Sequence, residues 1–506
     1  MKDIYKEVHN MKKGKVYIAG AGPGDENLIS VHAMELVKKA DVIVYDRLAA
    51  ERFLQYADRK CEKINAGKQP QNHTLNQQQI NQVLIQKAKE GKKVLRLKGG
   101  DPFLFGRGGE ECEELQKVGI DFEVIPGVSS FYSVCAYAGI PVTHRNYASS
   151  FHVFTGHRAE NEELDYKTIA NLEGTLLFLM SMKNLSLISK KLIEQGKDEY
   201  TLAAAIQWGT TSKQKSVTAY LKDIAQVAEQ QGIGHPSVVI IGDVIKQKMD
   251  WQKYRPLFGK HIVLAGSGES ALQSKKILQE EGAEVTIFSA IEIVEQENNL
   301  IREINRLHQY TWIFFTSVHS VEVFFNAMKS QKKDIRALQG IGIYCIGEKT
   351  KEEVEKRGIF VDRIPQHYNS KCAAEEMGGF LNKSDKILFP ASELASTILE
   401  QKAKDIGVEM VRVTAYLNCM PTDETAKQYI KREFEKGNVD SVAFFSSSQA
   451  KNLFLIAGES IKKCQLFAIG DSTEQTILDM GATITAKSDI ATAKGLAEKI
   501  KQIYMS

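Results

Sequence analysis

No two of the seven cysteines form a C-x-x-C pair, and none stands beside a histidine cluster with zinc-ligand spacing. Cys61, Cys112, Cys135, Cys345, Cys372, Cys419 and Cys464 are scattered and odd in number. That pattern argues against a disulfide framework and against a metal centre. It reads as reduced thiols, packed as small apolar residues, in a cytoplasmic protein. No run of about 18 apolar residues exists, so no membrane span is expected. The stretch Met1–Lys15 is polar and charged, without the apolar core of a secretory signal. Charge of one sign is also lacking: the net value is +3, which leaves no electrostatic footprint for nucleic acid. Local basic residues can still hold a small polyanion. What is present is an ordinary globular composition, 43% hydrophobic and 25% charged over 506 residues. Such a length suggests about three to four domains.

The chain repeats a rhythm of strand, glycine turn and helix. Lys15–Gly20 (KVYIAG) reads as a buried strand, Ser30–Ala40 has helical spacing, and Asp41–Tyr45 (DVIVY) is the next strand. Further strands are expected at Val94–Leu97, Phe122–Ile125, His152–Thr155, Leu176–Met180, Ala203–Gln207 and Val238–Ile241. Strands alternating with helices of this length predict an α/β fold with largely parallel sheets. The rhythm breaks at Lys246–Lys260 (KQKMDWQKYRPLFGK) and restarts at His261. The second half holds an internal repeat. Trp312–Ser317 (WIFFTS) is echoed by Val442–Ser447 (VAFFSS), and Tyr344–Thr350 (YCIGEKT) by Phe467–Thr473 (FAIGDST). Two copies suggest two similar α/β lobes. The long extended stretches Ala283–Glu295 and Glu409–Pro421 read as a two-stranded connector between them.

In open α/β sheets, ligands bind beyond the carboxyl ends of strands. Several segments of the first half occupy such exits: Gly20–Asp25 (GAGPGD), Tyr45–Leu48 (YDRL), Ala66–Lys68 (AGK), Leu97–Glu110 (LKGGDPFLFGRGGE) and Ile125–Ser130 (IPGVSS). Any one alone is as readily a plain turn. Together they predict one cleft with backbone open to a ligand. Pro23 interrupts G-x-G-x-x-G spacing, so the glycine turn is not the dinucleotide fingerprint.

With YAGIPVTHR (137–145), FTGH (154–157) and QWGTT (207–211), these motifs run in the order of the tetrapyrrole methylase family. The first half, about 14–250, resembles specifically the uroporphyrinogen-III C-methyltransferases. The resemblance implies S-adenosylmethionine as methyl donor, with S-adenosylhomocysteine as product. Its contacts would fall on Pro23, Gly99, Gly100, Asp101, Leu104, Ser129, Ser130, Met180 and Gly209. The family usually has Thr-Ala where Ser129-Ser130 stands here; serine keeps the hydroxyl. The family's proton acceptor falls on Asp46 and its proton donor on Lys68. Read as residues only, Asp46 is also a helix cap or an ion-pair partner of Arg47, and Lys68 a solvated loop lysine. Arg107, His144 and Arg145 are candidate anchors for a substrate with eight carboxylates, since a guanidinium pairs with carboxylate in a fork. Arg96 and Lys98 lie on one strand and its exit, and one of them is expected to face solvent.

The second half, about 260–506, resembles uroporphyrinogen-III synthase, through the two-lobe repeat and Val413–Asn418 (VTAYLN). The resemblance places a catalytic tyrosine at Tyr416. Thr316, Ser317, Ser447 and Thr473, near helix starts, are candidate carboxylate holders or else ordinary helix caps. Tyr416 is alternatively a core aromatic with a bonded hydroxyl. Two family features are missing. Ala265-Gly266 stands where Thr-Arg is common, and Phe389-Pro390-Ala391-Ser392 where Leu-Pro-Arg is common.

The domains implied are 14–127 and 128–248, two methylase α/β subdomains with a cleft, a linker at 249–260, and a synthase-like domain at 261–506. Within the last, lobe 1 covers about 261–288 plus 422–506 and lobe 2 about 296–410. The expected function is bifunctional. Hydroxymethylbilane is closed to uroporphyrinogen III, which is C-methylated to precorrin-2 via precorrin-1. The route leads towards sirohaem or cobalamin, with no metal in the protein. The methylase resemblance implies a homodimer through the first half. The alternative is a second half that only binds substrate.

Overall fold

In the computed structural model, residues 14–46, 51–67, 75–156 and 164–506 are described. They form two compact units, Met1–Phe288 with Thr425–Ser506, and Ser289–Glu424. No helix among the described residues is long and apolar enough to cross a membrane.

The first unit holds three sheets. β1 (Lys15–Gly20), β2 (Val42–Tyr45), β3 (Glu62–Asn65), β4 (Lys93–Lys98) and β5 (Phe122–Ile125) pair in the order β3-β2-β4-β1-β5, all parallel. Val42, Ile43, Val44 and Tyr45 are all buried, as a strand covered on both faces requires. The carboxyl ends of all five strands therefore share one edge.

The second sheet departs from the expected parallel pattern. It is built from β6 (Phe151–Thr155), β7 (Thr175–Leu179), β8 (Leu202–Gln207), β9 (Lys215–Tyr220) and β10 (Ser237–Ile241), ordered β6-β7-β10-β8-β9. Only β6 and β7 are parallel; β10 runs antiparallel to β7 and β8, and β8 to β9. The cause lies in the short loop Trp208–Gln214, which turns β8 straight back into β9 as a hairpin.

The second half contributes β11 (His261–Ala265), β12 (Glu284–Phe288), β13 (Glu292–Glu295), β14 (Trp312–Phe315), β15 (Gly342–Cys345), β16 (Lys386–Ser392), β17 (Glu409–Cys419), β18 (Ser441–Phe444), β19 (Gln465–Ala468) and β20 (Ala486–Lys487). The third sheet, in the first unit, is β12-β11-β18-β19-β20, and the sheet of the second unit is β13-β17-β16-β14-β15. The sequence repeat appears as β14 parallel to β15 in one sheet and β18 parallel to β19 in the other. The stretch Ala283–Glu295 is not one connector strand: it breaks into β12 and β13, which belong to different sheets. β13 pairs antiparallel with β17, and β17 continues the sheet by pairing parallel with β16.

Residues 249–260 are not a free linker. Met249 N–H donates to the Gly139 carbonyl at 2.9 Å and Trp251 Nε1 to that of Ala136 at 2.9 Å. Leu257 is buried among Ile262, Leu264 and Leu278. Among the described residues, four ion pairs cross from the first two sheets to the lobe of the third: Arg52–Glu284 (2.9 Å), Lys213–Glu433 (3.0 Å), Lys275–Glu26 and Arg432–Glu51. Glu284 also accepts from Ser212 N–H at 2.7 Å. Burial alone would raise the Glu284 carboxyl pKa, but Arg52, His261 and the Ser212 N–H outweigh it and hold it well below the usual carboxylate range. A depressed folded pKa contributes stability above the unfolded value of 4.5 and loses it as pH falls. Glu284→Gln should cost about 3 kcal/mol near neutrality, as expected when a buried pair loses one partner. Urea unfolding midpoints should show the gap to wild type narrowing below about pH 4.5.

Candidate active sites

Three strand exits of the first sheet meet backbone to backbone. A Cβ on Gly20 would lie 2.6 Å from Gly127 Cα, and one on Gly127 would lie 2.7 Å from Gly20 Cα; both would strike the Gly100 carbonyl. Only glycine fits such an approach. Gly22 and Gly100 form a bridge, with Gly100 N–H donating to the Gly22 carbonyl at 2.8 Å. Asp101 locks the arrangement: its carboxylate accepts from Gly127 N–H at 2.9 Å and from Phe103 N–H at 2.8 Å. Gly100, at φ +66°, has no atom within 4 Å of where its Cβ would be. Its outer face is thus open where a ligand could approach the backbone.

The second subdomain reaches the same place. Asp25 N–H donates to Thr210 Oγ1 at 3.2 Å, and Tyr137 OH donates to Asp25 at 2.7 Å. A Cβ on Gly24 would lie 2.7 Å from Thr211 Cγ2. Gly209 packs on Val134, in the helix Ser130–Tyr137 that begins behind Ser129. Ser129 occupies the cap position, but its side chain makes no cap hydrogen bond. Non-glycine residues with positive φ stand on these loops at Phe105, Arg107, Trp208 and Thr210, and another, Met180, follows the end of β7. Met180 and Phe103 have apolar side chains 47% and 59% exposed. Backbone strain and uncovered apolar surface at strand exits are features of binding sites rather than of plain turns.

Asp46 leaves the end of β2. Arg96 donates to it at 2.7 Å and Lys98 Nζ lies at 4.0 Å. Neither cation faces solvent: Arg96 is 2% exposed and Lys98 4%. Two residues apart on a central strand, they share one face, and that face is covered by the helix Gly108–Lys117. Its Glu111, fully buried, accepts from Arg96 Nε at 3.1 Å and from Lys98 at 2.9 Å. Two cations and two carboxylates make a neutral cluster. Burial and the neighbouring Arg96 nonetheless hold the Lys98 ammonium below its ordinary pKa. Glu111 was not foreseen; the apolar spacing of Cys112 and Leu115 on the same helix signals the inward face. Lys68 lies outside the described residues. Arg107 is exposed and paired with Glu110 at 2.6 Å, and His144 accepts from Asn146 N–H at 3.2 Å while Arg145 is exposed.

Comparison with known proteins shows the family. The Tetrapyrrole (Corrin/Porphyrin) Methylases model matches residues 15–225, and the Uroporphyrinogen-III synthase HemD model residues 273–498. A porphyrin biosynthesis protein HemD of Ruminiclostridium josui is 33% identical over 92% of this chain and 93% of its own length. A uroporphyrinogen-III C-methyltransferase of Bacillus subtilis (strain 168) is 40% identical over 70% of this chain and 74% of its own. The chain belongs to the tetrapyrrole methylases, with a uroporphyrinogen-III synthase domain joined behind. It is an enzyme of tetrapyrrole biosynthesis. A third relative, an S-adenosyl-L-methionine-dependent uroporphyrinogen III methyltransferase of Methanosarcina barkeri (strain Fusaro / DSM 804), is 46% identical over 46% of this chain and 92% of its own length.

In the synthase domain's second unit, Tyr416 and Ser317 come together. The Tyr416 hydroxyl and Ser317 Oγ are 3.0 Å apart, and the His319 ring stands edge-on to the tyrosine. A bulge in β17 sets this up: Ala391 pairs with Thr414 but Ser392 with Tyr416, so Ala415 is the extra residue. Ser317 caps the helix Val318–Ser330, accepting from Ser320 N–H at 3.1 Å, with Thr316 just before it. In the first unit the corresponding cap is Ser446, not Ser447, whose hydroxyl donates to the Ser472 carbonyl at 2.8 Å. Thr473, a candidate carboxylate holder or cap, is buried on the inward face of the helix Asp471–Asp479 with Thr476 and Ile477, and the cap position there belongs to Gly470. Gly266 has no room for the arginine common in the family: a Cβ there would meet the Phe445 ring at 2.6 Å.

The glycine contacts predict opposite signs for two alanine substitutions. Gly127→Ala should destabilise by about 1–3 kcal/mol, as overpacking against backbone does. Gly109→Ala, with open space inside a helix, should be neutral or slightly stabilising. Thermal unfolding of the two variants checks this.

Proposed function

We propose that the first half transfers methyl groups from S-adenosylmethionine to uroporphyrinogen III, giving precorrin-2 via precorrin-1, and that the second half makes uroporphyrinogen III from hydroxymethylbilane. The observation that carries the first part is the meeting of Gly20, Gly100 and Gly127 under Asp101, with Asp46 on the adjacent strand exit. The residues present fit the donor. Gly99, Gly100 and Asp101 offer open backbone, Met180 and Leu104 apolar surface, and Pro23, Ser129, Ser130 and Gly209 the flanking loops. The bound donor supplies a sulfonium methyl, which an electron-rich pyrrole carbon attacks in line. A carbon–carbon bond forms, the sulfur–carbon bond breaks, and the macrocycle is left with positive charge and a proton to lose.

The chain's part is positioning and charge. Arg96 holds one oxygen of Asp46, so the carboxylate keeps a fixed direction beside the cationic ring. Its half-exposed side can accept the proton. Arg107, His144 and Arg145 remain candidate carboxylate anchors, and Lys68 the candidate proton donor. Asp46→Ala should slow methyl transfer about 10²-fold or more, with S-adenosylhomocysteine binding largely kept. Single-turnover methylation and calorimetry separate the two effects; normal turnover would remove Asp46 from the mechanism.

In the second half, hydroxymethylbilane loses water and closes with inversion of its last ring. Folding a flexible polyanion dominates that step. Helix-start N–H groups at Thr316 and Ser317 and near Ser447 suit its carboxylates, and the Ser317–Tyr416 pair offers a hydroxyl to the departing water. Tyr416→Phe should slow cyclisation about tenfold, the loss of one positioned hydrogen bond. The blocked arginine position at Gly266 favours a second reading, in which this half only binds substrate. Full-length protein given hydroxymethylbilane without methyl donor decides: isomer III supports cyclisation, isomer I the second reading. With donor added, dimethylated product is expected, and persistent unmethylated uroporphyrinogen III would overturn the methylase assignment. A cytoplasmic setting, a homodimer through the first half and domain limits at 127, 248 and 260 belong to the same proposal.

A further inference from the structure

The four ion pairs that join the third sheet's lobe to the methylase sheets do not fall at random. Glu26 follows the glycine turn at the exit of β1. Its carboxylate receives Lys275 and accepts from Tyr56 OH at 2.9 Å and from Gln55 at 3.0 Å. Ser212 and Lys213 belong to the β8–β9 loop that carries Gly209. Glu284 accepts from Ser212 N–H, Glu433 pairs with Lys213, and Lys213 Nζ also lies 5.6 Å from the Trp208 ring centre. Glu51 and Arg52 follow the Asp46 exit and pair with Arg432 and Glu284. The β1 and β8 exit loops of the methylase cleft thus each have a charged handle in the synthase domain.

The charges are complementary. The methylase side presents Glu26, Glu51, Arg52 and Lys213, and the lobe presents Lys275, Arg432, Glu284 and Glu433. The contact is closely fitted: the cavity left there, lined by Asp25, Arg52, Tyr137, Thr211 and Glu284 among others, is about 30 Å³, room for a water or two. Several of these side chains are largely withdrawn from water, Lys275 and Glu26 to 8% and 11% exposure, where an ion pair is screened little.

We propose that Lys275, Glu284 and Glu433 of the synthase domain are positioning residues for the methylase reaction: they hold the β1 and β8 exit loops in the donor-binding conformation. The inference rests on the methylase reading above. Freed of these handles, the loops would sample other arrangements, and donor affinity would fall by the fraction of time the competent one is lost. The loss is one of binding, so it appears in KM for the donor and not in kcat.

The test uses the full chain. Donor affinity is read as the S-adenosylhomocysteine Kd by calorimetry and as KM for S-adenosylmethionine, with kcat and thermal midpoint alongside. Lys213→Glu and Glu433→Lys each oppose like charges and should weaken binding about tenfold, in the range of ordinary coupling between sites. The double variant, which swaps the pair, should recover most of it. Glu433→Gln, milder and safer for folding, should lose about fivefold. Unchanged affinity in the single variants overturns the inference, and so does weakening that the swap fails to repair. A wild-type chain that binds no S-adenosylhomocysteine overturns the methylase reading, and this inference with it. A wild type that binds while the variants bind equally well overturns this inference alone.

Discussion

The methylase cleft depends on a steric constraint: three parallel strand exits approach closer than any side chain allows. Gly20 and Gly127 are each too near the other's Cα and the Gly100 carbonyl to carry a Cβ. Once that approach is made, the rest follows. Gly22 can bridge to Gly100, Asp101 can reach across to Gly127 N–H, and the open face of Gly100 is fixed in place. The precision of the site is therefore set by sheet geometry rather than by long side chains, which is the more rigid of the two supports.

Electrostatics adds a second layer. Arg96 and Lys98 would be costly so deep in the protein without Glu111, which is itself fully buried and accepts from both. Asp46 is the member of the cluster with substantial exposure, 34% of its side chain. The three buried charges leave one positive charge over, and Asp46 balances it while keeping a side directed outward. A cationic ring beside Asp46 meets a negative partner that Arg96 keeps from rotating away. A solvated carboxylate would have to reorganise during the reaction; this one is already oriented.

Much of this was legible in the sequence, for identifiable reasons. Strands β1 and β2 announced themselves as short apolar runs, because a parallel strand buried on both faces has no polar alternation. The repeat of FFTS in FFSSS led directly to β14 and β18. The hairpin β8–β9 was hidden, since QWGTT resembles any glycine turn and nothing local says that the next strand runs antiparallel. The burial of both Arg96 and Lys98 was hidden for a different reason. Their neutralising partner, Glu111, stands 15 and 13 positions away on a helix, and charge balance across elements leaves no periodic trace. Thr473 misled because a hydroxyl near a helix start reads as a ligand contact, whereas its place with Thr476 and Ile477 turns it inward. The cap belongs to Ser446, one residue before the expected Ser447.

The ion pairs between the methylase sheets and the third sheet's lobe also bear on why the two domains share a chain. A polar contact of this kind, between separate proteins, would be transient. Here residues 249–260 are themselves fixed, by Met249 and Trp251 on one side and by Leu257 and Arg255 on the other, where Arg255 donates to the Gln279 carbonyl at 2.7 Å. A short, pinned connection makes docking intramolecular, so the effective concentration of one surface at the other is high without any further contact. Charge pairs too weak to assemble two free proteins then suffice to keep the lobe seated. Consecutive reactions explain why such a fusion would be kept. The pinned connection explains how the seated lobe can bear continuously on the loops of the methylase cleft.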